Sequence, residues 1–441
     1  MVLDKAVDAD GQPSAAVLRY ACLNARNQTG LSNPLDDAIS KRFQQWSGQG
    51  FRVLGVAVKP TDAHTDSYSR EDENALQFAG FLLFFDPPKP DVAQTIADLA
   101  ARGVQLKIIT GDNQLVARHV AEAVHLPSGG LLTGNDLQGM GDEALWHAAE
   151  RTSIFAEVDP NQKERIILAL QKTGHVVGYM GDGINDAPAL HSADVGISVN
   201  TAVDVAKDAA DLLLLEKGLD ILRDGIDEGR RTFANTLKYV LTTISANFGN
   251  MFSMAVASMF LPFLPLLASQ ILLNNFLSDI PGMAIAGDNV DPEWVAKPRR
   301  WDTKFISRYM VLFGLVSSIF DILTFGILLY VFHASPEEFR TGWFIESLLT
   351  ELVIAIVVRT RRVFYRSRPG KLLLASTIVV IGMTLVMPYL PFNSLMGFVP
   401  LPAPLMLLLI GMTVLYVVVA ELAKKYFYAR EDARVAGIGK T

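Results

Sequence analysis

The sequence has one cysteine, Cys22, among 441 residues. A lone cysteine excludes an internal disulfide and any thiolate metal cluster, and it reads as a small buried hydrophobe. Charge of a dominant sign is also lacking. Lys and Arg total 39 against 46 Asp and Glu, a formal net charge of −7. That balance gives no basic surface for a nucleic-acid partner. Residues 1–15 are polar and contain no apolar leader run. Membrane entry is therefore expected to depend on later segments.

Apolar residues are plentiful. Half the residues are hydrophobic and the mean hydropathy is positive, both high for a soluble protein. Their distribution changes sharply near residue 238. Residues 1–75 read as a polar start, a helix around Asp36 to Trp46, an apolar strand at Phe51 to Val58 and a polar loop from Lys59 to Asn74. Residues 76–235 alternate two kinds of segment. Gln77 to Phe85, Val104 to Ile109, Val176 to Met180, Val195 to Val199 and Asp211 to Leu215 have strand character. Asp91 to Ala101, Gln114 to Val124 and Lys163 to Gln171 have helical periodicity. The alternation predicts a doubly wound α/β domain, whose ligands gather at the carboxyl ends of its strands.

Six apolar segments follow, at 240–262, 266–286, 309–332, 343–358, 371–389 and 402–421. Several approach the ~20 residues that a helical membrane span needs. The fourth is short and carries Glu346 and Glu351. Basic residues mark alternate connections: Lys297, Arg299, Arg300 and Lys304 after the second segment, Arg359, Arg361, Arg362, Arg366, Arg368 and Lys371 after the fourth, Lys424 and Lys425 after the sixth. The connection after the third holds Glu337 and Glu338 with only Arg340, and the one after the fifth is uncharged. The positive-inside rule then puts the α/β domain and the C-terminus in the cytoplasm.

Three separated pieces read as one phosphoryl-transfer site. Residues 106–112 run from an apolar strand into Thr110, Gly111 and Asp112. Lys163 opens a helix after Asp159-Pro160-Asn161-Gln162. Asp182 and Asp186 lie four apart in a Gly-rich turn with Asn185 between them. A threonine hydroxyl can donate to a phosphoryl oxygen, a lysine can neutralise charge on the transferring group, and paired carboxylates can hold Mg²⁺. Singly, each has a plainer reading: Thr110 and Asp186 as helix caps, Lys163 as a solvated surface residue.

Together these pieces resemble the phosphorylation domain of P-type ATPases, a haloacid-dehalogenase-like fold. Thr110-Gly111-Asp112 matches the family's Thr-Gly-Asp, and Lys163 its lysine after Pro-x-Gln. Gly181 to Leu190 matches Gly-Asp-Gly-x-Asn-Asp-Ala-Pro-Ala-Leu completely, and Asp86-Pro87-Pro88 matches the hinge Asp-Pro-Pro. The resemblance narrows to the bacterial magnesium-transporting subgroup through Asn33-Pro34-Leu35-Asp36, Phe51 to Leu54, Ser245 to Asn250, Leu273 to Ile280 and Lys297 to Asp302. It implies catalytic roles for Thr110, Gly111, Asp112, Lys163, Asp182 and Asp186, nucleotide contacts at Asp112, Lys163 and Asn185, and Mg²⁺ at Asp182 and Asp186. It further implies ATP and Mg²⁺ as cofactors, and Mg²⁺ as the transported ion. The domains it implies are a shortened nucleotide-binding remnant at 1–75, a phosphorylation domain at 76–235, six spans within 236–425 and a cytoplasmic tail at 426–441. The setting is a bacterial plasma membrane, with lipid as partner and both ends cytoplasmic.

The family's Asp-Lys-Thr-Gly-Thr nucleophile string is absent from these residues, as are its first four spans, its Thr-Gly-Glu loop and the Lys-Gly-Ala segment of its nucleotide domain. The chain is therefore expected not to form a phosphoenzyme alone, being a truncated or degenerate pump or one whose missing N-terminal half comes from another polypeptide. Two alternatives stay open: an inactive regulatory or structural membrane subunit derived from a pump, and a membrane-anchored phosphatase using Asp86. Against the latter, Pro87 and Pro88 remove the amide donors that a phosphate cradle needs.

Polar residues inside apolar segments mark an ion path. Asn247 and Asn250 share a face of the first segment, and Asn274, Asn275 and Asp279 cluster on the second. Pro281 and Gly282 are expected to break that helix and free carbonyls for a cation. Interhelical hydrogen bonding is the plainer reading of Asn274 and Asn275. Glu351 and Glu421 are weaker candidates.

Overall fold

The computed structural model describes residues 2–8, 11–14, 16–17, 37–60, 76–127, 129–216, 218–391 and 393–438. Cys22, most of the 59–74 loop and the Asn33–Asp36 motif lie outside them. The chain forms two compact units, Met1–Gly225 and Ile226–Thr441.

In the first unit, β1 (Val2–Val7), β2 (Arg52–Val58) and β3 (Gln77–Phe85) form an antiparallel sheet with β3 central. Helix α1 (Asp37–Gly48) precedes β2. The long apolar run of β3 follows from cover on both faces. Phe81 and Leu83 pack with Val7, Val53 and Trp46 on one side, and Leu82 packs with Val17 and Val56 on the other. Strand β1 is not among the expected elements, because Asp4 and Lys5 interrupt its apolar pattern. It pairs with β3 across the expected 75/76 boundary, so this sheet draws on both sides of that division.

Short strands and helices then alternate: α2 (Val92–Ala101), β4 (Ile108–Ile109), α3 (Gln114–Ala123), β5 (Leu131–Thr133), α4 (Gly134–Gln138), α5 (Asp142–Arg151), β6 (Ile154–Ala156), α6 (Pro160–Lys172), β7 (Gly178–Met180), α7 (Ala187–Ser192), β8 (Val195–Val199), α8 (Asp204–Asp208) and β9 (Leu212–Leu214). The expected α/β alternation is present. Its strands are parallel, but they form two sheets, ordered β4-β6-β5 and β7-β8-β9. Strands β4 and β7 each pair on one side only among the described residues, and both are shorter than the apolar runs that predicted them. One core joins the two sheets: Phe155 of β6, Tyr179 of β7 and Val199 of β8 cluster with Ile166, Ile167 and Leu170 of α6. Helix α6 begins before Lys163 because Asp159 caps it. Its carboxylate accepts from the Gln162 amide at 2.9 Å, and the Gln162 side chain accepts from the Asp159 amide at 3.0 Å.

Helix α9 (Leu219–Phe260) carries the chain into the second unit. It is followed by α10 (Ala268–Ala284), α11 (Pro292–Val295), α12 (Thr303–Gly326) with a π-turn to Val331, α13 (Pro336–Val358), α14 (Lys371–Val386) with a 3₁₀ turn to Tyr389, and α15 (Ala403–Ile438). All six expected segments are helical. Four helical stretches, Thr303–Val331, Pro336–Val358, Lys371–Tyr389 and Ala403–Arg434, are long and apolar enough to cross a membrane. Asn247 and Asn250 dilute α9, and α10 is only 17 residues long.

Two expectations need correction. Helix α13 starts at Pro336, not at 343. Ser335 caps it and accepts from the Glu338 amide, so Glu337 and Glu338 belong to its first turn, where acidic side chains favour the helix dipole. Pro281 does not break α10, which continues to Ala284. A proline there only removes the amide that would bond the Leu277 carbonyl. Helix α13 is the most buried of the four membrane-length stretches: 83% of its apolar window is buried, against 44% for α12 and 28% for α14 and α15. That burial explains why a membrane-length helix can carry Glu346 and Glu351.

Candidate functional site

Strand β7 ends in the turn Gly181–Asp186. Glycine is required at 181, since a Cβ there would lie 2.5 Å from the Asp186 Cβ. Asp186 occupies the N-cap position of α7 but makes no capping bond. Its carboxylate turns back instead. Oδ1 accepts from Lys163 Nζ and from the Tyr179 hydroxyl, each at 2.7 Å, and Oδ2 accepts from the Gly183 amide at 3.0 Å. Burial by itself pushes the Asp186 carboxyl up, but Lys163, Tyr179 and Gly183 outweigh it and hold the group below its ordinary 3.8. Burial, then Asp186, pushes the Tyr179 phenol well up, so it stays a neutral donor. Lys163 is buried, contrary to its solvated reading. Asp182 and Asn185 are exposed on the same turn, and the Asp182 carbonyl accepts from the Val203 amide at 3.2 Å.

Thr110 and Gly111 follow β4. The Thr110 hydroxyl accepts from the Asp112 amide at 3.0 Å and so closes the turn. The cap of α3 is Asn113, whose side chain accepts from the Leu115 amide, so the capping reading of Thr110 fails. Asp112 is ion-paired with Arg52 of β2. Glu157 steadies this loop by accepting from the Asn113 side chain and the Gln114 amide, each at 3.0 Å. The geometry thus joins Lys163 to Asp186 and gives Asp112 to Arg52. Sequence reasoning missed Tyr179, Arg52 and Glu157. Only Tyr179 had a signal, as a hydroxyl inside an apolar strand. Asp86 is exposed beyond the antiparallel β3, outside both parallel sheets. Among the described residues, no group of three or more His, Cys, Asp or Glu gathers as a metal cluster.

In the second unit the polar residues converge on Glu351 of α13. Its Oε2 accepts from Asn250 of α9 at 3.5 Å and from Asn274 of α10 at 3.3 Å. Asn250 in turn accepts from Ser347 at 3.2 Å. A cavity of about 200 Å³ lies against Glu351 and is lined by Asn247, Asn275, Ser278 and Asp279 among others. Asp279 therefore shares a cavity with Asn247. Asn250 instead lines a void of about 10 Å³, which Glu351 also borders. That void is the size of one water. Glu351, the weaker candidate by sequence, borders both spaces, as does Thr242 of α9. Glu421 is structural: it accepts from Lys424 at 2.8 Å and from the Phe364 amide at 2.9 Å.

Two family models match the chain. Residues 21–194 match the haloacid dehalogenase-like hydrolase model, and residues 263–426 match the C-terminus of cation transporting ATPases. The chain is 46% identical over 406 residues to the "Magnesium-transporting ATPase, P-type 1" of Salmonella typhimurium strain 14028s, covering 90% of this chain and 45% of the relative. It is 44% identical to the protein of that name from Escherichia coli K12, with the same coverage. Against the "Calcium-transporting ATPase" of Bacillus subtilis the identity is 31%, covering 83% of this chain and 43% of the relative. The chain spans about half the length of these relatives.

Proposed function

The chain belongs to the magnesium-transporting P-type ATPase family and corresponds to the C-terminal portion of such an ATPase; from this premise we propose that it is the half of an ATP-driven pump that handles phosphoryl transfer and conducts Mg²⁺ through a bacterial plasma membrane. The relatives extend well beyond the match, and we place the phosphate acceptor in the part of the pump corresponding to that remainder.

In this reading Thr110, Lys163, Asp182 and Asp186 serve the transferring phosphoryl group, with Asp112 and Asn185 beside it. Asp182 and Asp186 offer hard carboxylate oxygens on one glycine turn, a donor set that suits Mg²⁺ completed by waters. When bound, the ion supplies positive charge to phosphoryl oxygens. Asp186 fixes the Lys163 ammonium at the turn, and Tyr179 fixes Asp186. The lysine then needs no reorganisation when charge develops nearby.

All six helical segments serve as spans, including the two with polar faces. Those polar faces are the conduction path: Asn247, Asn275 and Asp279 along the cavity, Asn250 and Asn274 on Glu351. Both ends lie in the cytoplasm. The charge pattern supports this after Arg359 and Lys424 are set aside, because both are buried in internal ion pairs. Arg361, Arg362, Arg366, Arg368 and Lys425 still share a side with Lys297, Arg299 and Arg300.

The observation that carries the proposal is Glu351: a carboxylate on the most buried membrane-length helix, held by amides of two neighbouring helices beside a polar cavity. Glu351→Gln and Asp279→Asn, placed in a full-length pump with this sequence, are each expected to lower Mg²⁺ transport in vesicles at least tenfold while leaving the protein folded. Wild-type transport by the Glu351 variant would overturn the assignment.

A further inference from the structure

A second pair of acids is buried in the membrane unit, and the conduction path does not use it. Asp321 of α12 is 1% exposed and Glu346 of α13 is 0% exposed. Asp321 already accepts two hydrogen bonds, from the Ser253 hydroxyl of α9 at 2.6 Å on Oδ2 and from the Trp343 indole of α13 at 2.7 Å on Oδ1. Neither oxygen of Glu346 has a donor, although both are sealed from solvent. The group its carboxyl faces is Asp321. The other titratable side chain in electrostatic range of both is Tyr416 of α15. Among the described residues, no Lys, Arg or His acts on either acid.

We infer that Asp321 and Glu346 form a proton-binding site within the membrane unit, in which one proton is held between two carboxyls. Two adjacent carboxylates without a counter-ion repel strongly in a medium of low dielectric, so such a pair shares a proton. The hydrogen bonds assign it. Asp321 accepts on both oxygens, as a carboxylate does, and Glu346 meets only acceptors. Glu346 therefore carries the proton, and its hydroxyl donates to Asp321. A metal ion fits poorly. Mg²⁺ requires about six oxygens in octahedral array, whereas the side chains hydrogen-bonded to the pair add only the Ser253 hydroxyl oxygen. Three helices meet at the pair, so the proton can exchange with solvent only when α9, α12 and α13 separate.

Infrared spectroscopy of the whole chain in lipid nanodiscs at neutral pH tests this. A protonated-carboxyl stretch that shifts in D₂O is expected in the wild type, retained in Glu351→Gln and lost in Glu346→Gln. Glutamine mimics the protonated acid and can donate to Asp321, so Trp343 fluorescence should report an unchanged fold in that variant. Absence of the band from the wild type would overturn the site whether or not any variant folds. So would its persistence in folded Glu346→Gln, or its removal by saturating MgCl₂ alone.

Discussion

At the residue scale, Asp186 shows how one side chain can be legible in kind and hidden in use. Its place in Gly181–Leu190 marked it as functional, but no spacing rule said that its carboxylate would reach back to Lys163 and Tyr179. That contact depends on how the sheets share a core, a tertiary fact. Glu351 was hidden for a related reason. A glutamate in a membrane-length segment reads as an interface residue until its helix proves to be the buried one. The ion pair yields a prediction about pH. The folded Asp186 carboxyl titrates below its ordinary 3.8. Its stabilisation is therefore complete above that value and is lost as pH falls through the lower folded value. Asp186→Asn should cost about 3 kcal/mol at neutral pH, because Lys163 is left buried without its partner. The difference from wild type should fade below about pH 4. Hydrogen exchange at the amides of α6 and β7 across pH would measure it. A variant protected like wild type at pH 7 would contradict the pairing.

At the element scale, long apolar segments and the α/β alternation were legible because each holds its period over many residues. The three-residue strands β5 and β6 were not, since so few residues display no period. The start of α13 was hidden by its own acidic first turn. Ion pairs between elements were also invisible, because their partners lie 23 to 125 residues apart. One buried cluster ties α9 to the ends of α10 and α13 and to the start of α14. Asp288 follows α10 and accepts from Lys238 at 2.7 Å, from Arg359 at 3.2 Å and from the Gly370 amide at 2.7 Å. All three ionic side chains are buried. Asp288→Ala would strand two buried cations that repel one another. It should cost about 3–5 kcal/mol, more than removal of an exposed, solvent-screened pair such as Arg362–Glu293. Thermal unfolding of both variants in detergent would rank them, and equal midpoints would refute the role given to Asp288.

At the scale of the whole molecule, the sequence supplies an orientation that helix packing by itself does not. Packing fixes which helices touch, whereas charge decides which end faces the cytoplasm. Burial refines the choice of reporters for this orientation. Ser367 in the basic 359–371 connection is buried and bonded to Asp291 at 2.7 Å, so a cysteine there would resist any reagent from either side. Tyr365 in the same connection is 70% exposed, and Glu337 at the opposite end of α13 is also exposed. They report on opposite sides of the membrane if α13 spans it. With Cys22 replaced by serine, an impermeant thiol reagent added to intact cells should label Glu337→Cys and spare Tyr365→Cys. Lysis should make both reactive, which excludes a buried thiol as the cause of protection. The reverse pattern would invert the topology and move the Gly181–Leu190 turn away from cytoplasmic ATP. Labelling of both in intact cells would mean that α13 does not span the membrane. The proposed conduction path along Glu351 would then lose its physical basis, since a carboxylate on a non-spanning helix lines no route across the bilayer.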